Sequence, residues 1–168
     1  GMARTFQTIR LLPDATVLAN VMIGMYRLQK TSLFAQMFGL PSSRAETRRF
    51  RDDAFALLER FGMTRYADYP AGNLSYGDQR RVEMMRALAL KPQVLLLDEP
   101  VAGISDVEAA KLGEIFRALA TEGEGMAVFL IEHNMRFVTN LCDYVYVLDS
   151  GQLIAQGEQF RAVQFVGF

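Results

Sequence analysis

The sequence predicts an α/β fold, a helical first half followed by a mostly parallel sheet with helices on its faces. Two short apolar runs, VLLLD (94–98) and AVFLIE (127–132), read as strands buried on both faces. Helical patterns follow them over 106–121 and 134–141, and such strand–helix alternation is the mark of a parallel sheet. YVYVLDSGQLIAQGE (144–158) then reads as a hairpin turning at Ser150-Gly151.

The first half justifies its helices one by one. DATVLANVMIGMYRLQ (14–29) follows a proline and spaces its apolar residues at helical intervals, predicting an amphipathic helix from about Val17 to Leu28. TSLFAQMFGLP (31–41) is apolar but broken by Gly39 and Pro41, which predicts a loop or a short helix. SSRAETRRFRDDAFALLERFGM (42–63) opens on a serine cap and closes at Gly62, as a long helix should. Ser75 and Gly77 precede a helix expected from about Asp78 to Leu90, with Ser75 as its cap and Asp78 completing an approximate capping box. The expected organisation is a helical part over about 10–90, a sheet core over about 91–158 and an atypical tail, QFRAVQFVGF, over 159–168. Phe160, Phe165 and Phe168 make that tail apolar for a solvent-facing end. No internal repeat, low-complexity tract or flexible linker interrupts the chain.

Composition narrows the function. A chain of 168 residues is most simply one domain, with 51% apolar residues to bury and a formal net charge of -1. That balance excludes the basic footprint of a nucleic-acid binder. Arg44, Arg48, Arg49 and Arg51 are interspersed with Glu46, Asp52, Asp53 and Glu59, the pattern of a solvated helix face. Cys142 is the single cysteine, sits in apolar context and reads as a structural thiol in a reducing compartment. No apolar run approaches the ~20 residues that cross a bilayer, and the start has no basic-then-apolar leader.

The chemistry lies in LSYGDQRRVEMMRALALKPQVLLLDEP (74–100). Ligands of open α/β sheets sit beyond the carboxyl ends of the strands. Asp98 is therefore suited to hold Mg²⁺, which prefers oxygen ligands, and Glu99 to act as general base on a water. Two exposed acids at a strand end are the plainer alternative. A helix N-terminus bearing the Ser75 hydroxyl is both a capped helix and a ready anion site.

LSYGDQRR followed closely by VLLLDEP resembles the ATP-binding cassette (ABC) ATPases. The resemblance implies a P-loop NTPase-like ABC ATPase fold and extends from residue 3 to about 157. It implies that Ser75, Gly77 and Gln79 close over ATP held by a second ATPase subunit. It makes Gln7 of TFQ a contact to Mg and to transporter membrane subunits, and Asp98 the other Mg residue. Glu99 and His133 of LIEHNM take the catalytic positions, and AGISD (102–106) matches the D-loop at the dimer interface. ARTFQTIRLLPDATVLANVMIGMYR (3–27), Tyr76 and VFLIEHNM look like the ATPase subunits of branched-chain amino-acid importers. The location implied is cytoplasmic, peripheral to the inner face of the cell membrane, with no nucleic-acid partner.

Three departures qualify the match. A first strand, the phosphate loop, its helix and an antiparallel segment precede TFQ in the family. Here the lysines, Lys30, Lys91 and Lys111, follow Gln29, Leu90 and Ala110, and no Gly-Lys pair occurs. The fold expected is accordingly truncated, its sheet lacking the first strand and phosphate loop. ATP and Mg are expected to bind weakly if at all, and ATP not to be hydrolysed. Asp78 stands where the family has glutamine, placing like charge near a phosphate, and the tail lacks the family's acidic helix. An uncovered sheet side predicts self-association, or a tail folded over the gap. Two other readings stand beside the transport ATPase: a non-catalytic half-site module completing a partner's site, and an inactive remnant.

Overall fold

The structure is a computed structural model and describes residues 1–5, 9–122 and 125–158. Three parallel strands form its centre. β1 (Met2–Arg4), β2 (Val94–Asp98) and β3 (Ala127–Ile131) lie in that spatial order. Met2 pairs with Val94, and Val94 with Ala127, the register then running on to Asp98 opposite Ile131. β2 is thus hydrogen-bonded on both sides. β4 (Tyr144–Asp149) and β5 (Gln152–Glu158) form a separate antiparallel hairpin. Its turn residues, Ser150 and Gly151, both have positive φ, 48° and 80°, which suits the twist of a tight hairpin.

β1 is the strand that sequence patterning missed. Met-Ala-Arg has no apolar run, and the strand exists because the edge of β2 offers it partners. The two apolar runs read as strands also need correction. Leu95 and Leu97 are buried, but Val94 and Leu96 on the other face of β2 are half-exposed. In β3, Phe129 and Ile131 are 54% and 56% exposed. Among the described residues the helices bury the face carrying Ala3, Leu95 and Leu97, and the opposite face is half-exposed at Val94 and Leu96 and exposed at Phe129 and Ile131.

The helices come in order as α1 (Val17–Gly24), α2 (Leu33–Met37), α3 (Pro41–Arg60), α4 (Tyr76–Leu88), α5 (Asp106–Thr121) and α6 (Met135–Leu141). α1 ends four residues early because Met25–Leu28 tightens into a 3-10 turn. The serine cap expected for α3 is absent. Pro41 occupies its first turn and Leu40 its cap, since proline's fixed φ already suits that position. Ser43 is inside the helix, where its carbonyl accepts from Thr47 Oγ1 at 3.0 Å. α4 starts at Tyr76 rather than Asp78, with Ser75 as cap. Gly62 follows α3 at φ 66°, as its position predicted. Cys142 is half-buried and free, and burial, then the neighbouring Asp143, pushes its thiol up, as suits a structural cysteine.

α1, α3 and α4 pack around Val17, Val21, Leu58, Met84 and Met85. Asn20, wholly buried, donates to the carbonyls of Leu12 (3.0 Å) and Thr16 (3.0 Å) and accepts from Leu12 N. It ties the preceding loop to α1. Gly24 allows α1 to reach α4, since a Cβ there would lie 2.2 Å from the Arg86 carbonyl oxygen. Its φ of -56° is ordinary, so the requirement is space alone. Gly24→Ala should therefore cost about 1–3 kcal/mol by overpacking against backbone. Urea unfolding measures it, and an unchanged midpoint would mean that the helices separate freely.

Candidate functional site

β2 and β3 end side by side and deliver the acidic pair and the histidine to one place. Asp98 closes β2 with its side chain 24% exposed. Its backbone N–H donates to Thr5 Oγ1 at 3.3 Å, and its carboxylate meets Arg4 Nη2 at 3.4 Å. The chain then leaves the strand through Glu99, whose φ is 46°. A left-handed non-glycine residue is strained by of order 1–3 kcal/mol and persists where its surroundings hold it. Glu99 N–H donates to the Ile131 carbonyl at 2.9 Å, and its own carbonyl accepts from Ala102 N–H at 3.2 Å. The turn aims the Glu99 carboxylate at His133, whose Nδ1 is 3.6 Å away. His133 is 78% exposed and Glu99 33%.

Sequence reasoning missed the residue beneath this pair. Glu132 has a side chain only 1% exposed. Its carboxylate accepts from Val101 N–H (3.0 Å), His133 N–H (3.1 Å) and Asn134 N–H (3.2 Å). One buried acid thus joins the loop after Glu99 to the turn carrying His133. The only signal in the sequence is an acid closing an apolar run. Arg80 was likewise passed over as part of a basic helix. It is 1% exposed and pairs with Glu83 at 3.3 Å, three residues on. It also reaches the carbonyls of Asp98 and Glu99.

The start of α4 forms the second half of the site. The Ser75 hydroxyl accepts from Asp78 N–H at 3.2 Å and donates to Asp78 Oδ2 at 2.9 Å. Arg81 meets the other Asp78 oxygen at 3.3 Å and reaches Glu108 of α5 at 2.8 Å. The anion position at this helix end is therefore filled by the chain's own carboxylate. Gln79 does not point outward either, since its amide donates to the Leu74 carbonyl at 3.0 Å. Gly77 lies under the loop before α5, because a Cβ there would sit 2.8 Å from Ile104 Cγ2. Gln7 and the tail phenylalanines lie outside the described residues.

The acids suit Mg²⁺. Among the described residues no cluster of three or more His, Cys, Asp or Glu forms a protein cage. Mg²⁺ typically takes one or two carboxylates and completes its shell with water and phosphate oxygens. A part-exposed Asp98, with Glu99 beside it, fits that demand.

A strand-end acid pair thus lies beside a strand-end histidine, and a serine-capped helix with Gly77 in its first turn packs against the loop that follows the acids. The ABC transporter family model matches residues 1–102, and the chain belongs to that family, whose ATPases use ATP and Mg. It is 38% identical over 163 residues to the high-affinity branched-chain amino acid transport ATP-binding protein LivG of Escherichia coli K12, and 36% to BraF of Pseudomonas aeruginosa PAO1. Each match takes in 96% of this chain and 64% of the relative. The chain thus spans less than two thirds of the curated relatives' length. Among solved structures, the ATP-binding cassette MJ1267 of an ABC transporter superposes with TM-score 0.76 at 32% identity, over 99% of this chain and 64% of that one. The fold is that of an ABC ATPase cassette, in part.

Ser105 caps α5 in a complete capping box with Glu108. The Ser105 hydroxyl, its backbone N–H and then Arg81 hold the Glu108 carboxyl below its ordinary value. Because the folded value is depressed, this contribution is whole above the ordinary carboxylate range and is lost as pH falls through the lowered value. Ser105→Ala should move the Glu108 titration upward toward the ordinary value. Carbon-detected NMR measures this, and an unmoved titration would assign the depression to the residue-105 backbone N–H and Arg81.

Proposed function

We propose that this chain supplies the acid-pair, signature and switch-histidine parts of the ATP-binding subunit of a branched-chain amino-acid importer. The convergence of Asp98, Glu99 and His133 at the ends of β2 and β3 carries the reading, and the identity to LivG and BraF supports its subfamily. In it, Asp98 and Gln7 hold Mg²⁺, which neutralises phosphate charge when bound. Glu99 takes the proton of an attacking water, and His133, at its carboxylate, orients that water and the terminal phosphate. Ser75, Gly77 and Gln79 face ATP held by a second ATPase subunit, for which Gln79 releases the Leu74 carbonyl. Residues of about 10–90 form the helical part toward the membrane subunits, and those of about 91–158 the catalytic core. The setting is the cytoplasmic face of the cell membrane. Among the described residues, no helix is long and apolar enough to cross it.

The sequence contains no Gly-Lys pair to cradle phosphates, so the chain by itself binds Mg–ATP weakly and does not turn it over. That same observation favours a second reading, a half-site module lending Ser75 and Gly77 to a complete partner. The open sheet face with Phe129 and Ile131 supports self-association as well.

Calorimetry of the purified chain with Mg–ATP should give no heat of binding in the micromolar range, about -8 kcal/mol. Binding that tight would overturn the inactive-alone reading. Coexpression with full-length LivG, followed by pull-down in ATP, tests the half-site module, which falls if no complex forms. Asp78→Gln removes like charge from the helix end, so any such complex should strengthen. The substitution also gives up about 0.3–1 kcal/mol of helix-dipole stabilisation, read by thermal unfolding. A weaker complex with Asp78→Gln would show that Asp78 takes part in docking.

A further inference from the structure

We infer that Arg80 is a positioning residue for the acid pair, gripping the backbone of Asp98 and Glu99 from α4 so that helix and acids move together. The inference rests on the proposed roles of Asp98 as the metal carboxylate and Glu99 as the general base beside it. Nη2 of Arg80 donates to the Asp98 carbonyl and, at 3.1 Å, to the Glu99 carbonyl. These are the peptide oxygens of the two residues whose side chains carry the chemistry. One of the two, Glu99, holds the left-handed backbone conformation, φ 46°. Such a conformation survives only where neighbours fix it on several sides. Ile131 fixes its N–H, Ala102 and Arg80 its carbonyl.

Burial makes the choice of residue informative. Arg80 is 1% exposed and its counter-ion Glu83 2%. A buried ion pair is rarely worth more to stability than apolar side chains of the same size. Packing α4 on the strand end would therefore be served as well by methionine and leucine. Two carbonyls held from one side chain, with Glu83 held at the same time, call for the planar, many-donor head of arginine, which lysine lacks. The grip extends further. Glu83 meets Arg86 Nη2 at 3.8 Å, and Arg86 donates to the Arg10 carbonyl. A continuous polar path thus joins the segment at Arg10, through three side chains of α4, to the acid pair.

Mn²⁺ titration of the ¹⁵N-labelled chain tests this without nucleotide, reading the paramagnetic broadening of the Glu99 and His133 amides. Asp98→Asn, which removes the metal carboxylate, should abolish that broadening. Arg80→Met with Glu83→Leu removes both buried charges at similar volume. Its thermal midpoint should stay near wild type while the Mn²⁺ midpoint rises about tenfold, the usual effect of losing a support behind a metal ligand. Arg80→Lys keeps the charge opposite Glu83 but not the fork, and should fall between the two. It carries the test alone if the double variant does not fold. If Asp98→Asn abolishes broadening while the Arg80 variants bind as wild type, the inference is overturned and the acid-pair reading stands. Broadening indifferent to Asp98→Asn overturns both.

Discussion

The structure depends on β2 being hydrogen-bonded along both edges. A central parallel strand cannot slip or fray without breaking two ladders, and at its carboxyl end the β3 ladder runs on to Asp98 beyond the last β1 pairing at Leu96. The elements around it are tied to that end. Thr5, just after β1, receives the Asp98 N–H; Ile131, at the end of β3, receives the Glu99 N–H; and α4 sends Arg80 to both carbonyls. Two consecutive peptide units are thereby held from three directions, and the strained turn at Glu99 becomes affordable.

Charge is used differently inside and outside. Surface pairs such as Lys91–Asp53 at 2.7 Å contribute little, because water and salt screen them. Glu132, Arg80 and Glu83 are the buried charges beside the acid pair, and each answers to groups that specify geometry. Glu132 gathers three amides from two loops, which sets His133 beside Glu99 while leaving the imidazole exposed. A buried carboxylate with three donors is satisfied where it stands. It is therefore a scaffold for the exposed pair above it.

The sheet is asymmetric in the same way. One face is packed under helices and the other shows Phe129 and Ile131. Parallel sheets ordinarily have both faces covered, and among the described residues this sheet is covered on one face only. At α4 the balance is local: Asp78 supplies the anion that the helix N-terminus attracts, and the Ser75 hydroxyl is engaged by it.

Local chemistry was legible in the sequence. Ser75 as cap, the hairpin at Ser150-Gly151, α5 over 106–121 and the strands expected at 94–98 and 127–132, the second found over 127–131, follow from short-range rules of capping, turn geometry and periodicity. Asp98 is a candidate as the acid ending an apolar run and Glu99 as its neighbour, whereas His133 stands out only through the resemblance of LIEHNM to the family. What pairing and packing decide could not be read there. β1 is three residues without a pattern of its own, made a strand by the edge of β2. The exposure of Phe129 depends on which face the helices cover, which no run of apolar letters encodes. Arg80 and Glu132 drew no reading from the sequence, and only the tertiary structure brought them buried carbonyls and amides to bind. The sequence by itself determined which side chains could do the chemistry. Their positions were decided by contacts between residues far apart in the chain, because those contacts alone fix the two peptide units at the end of β2.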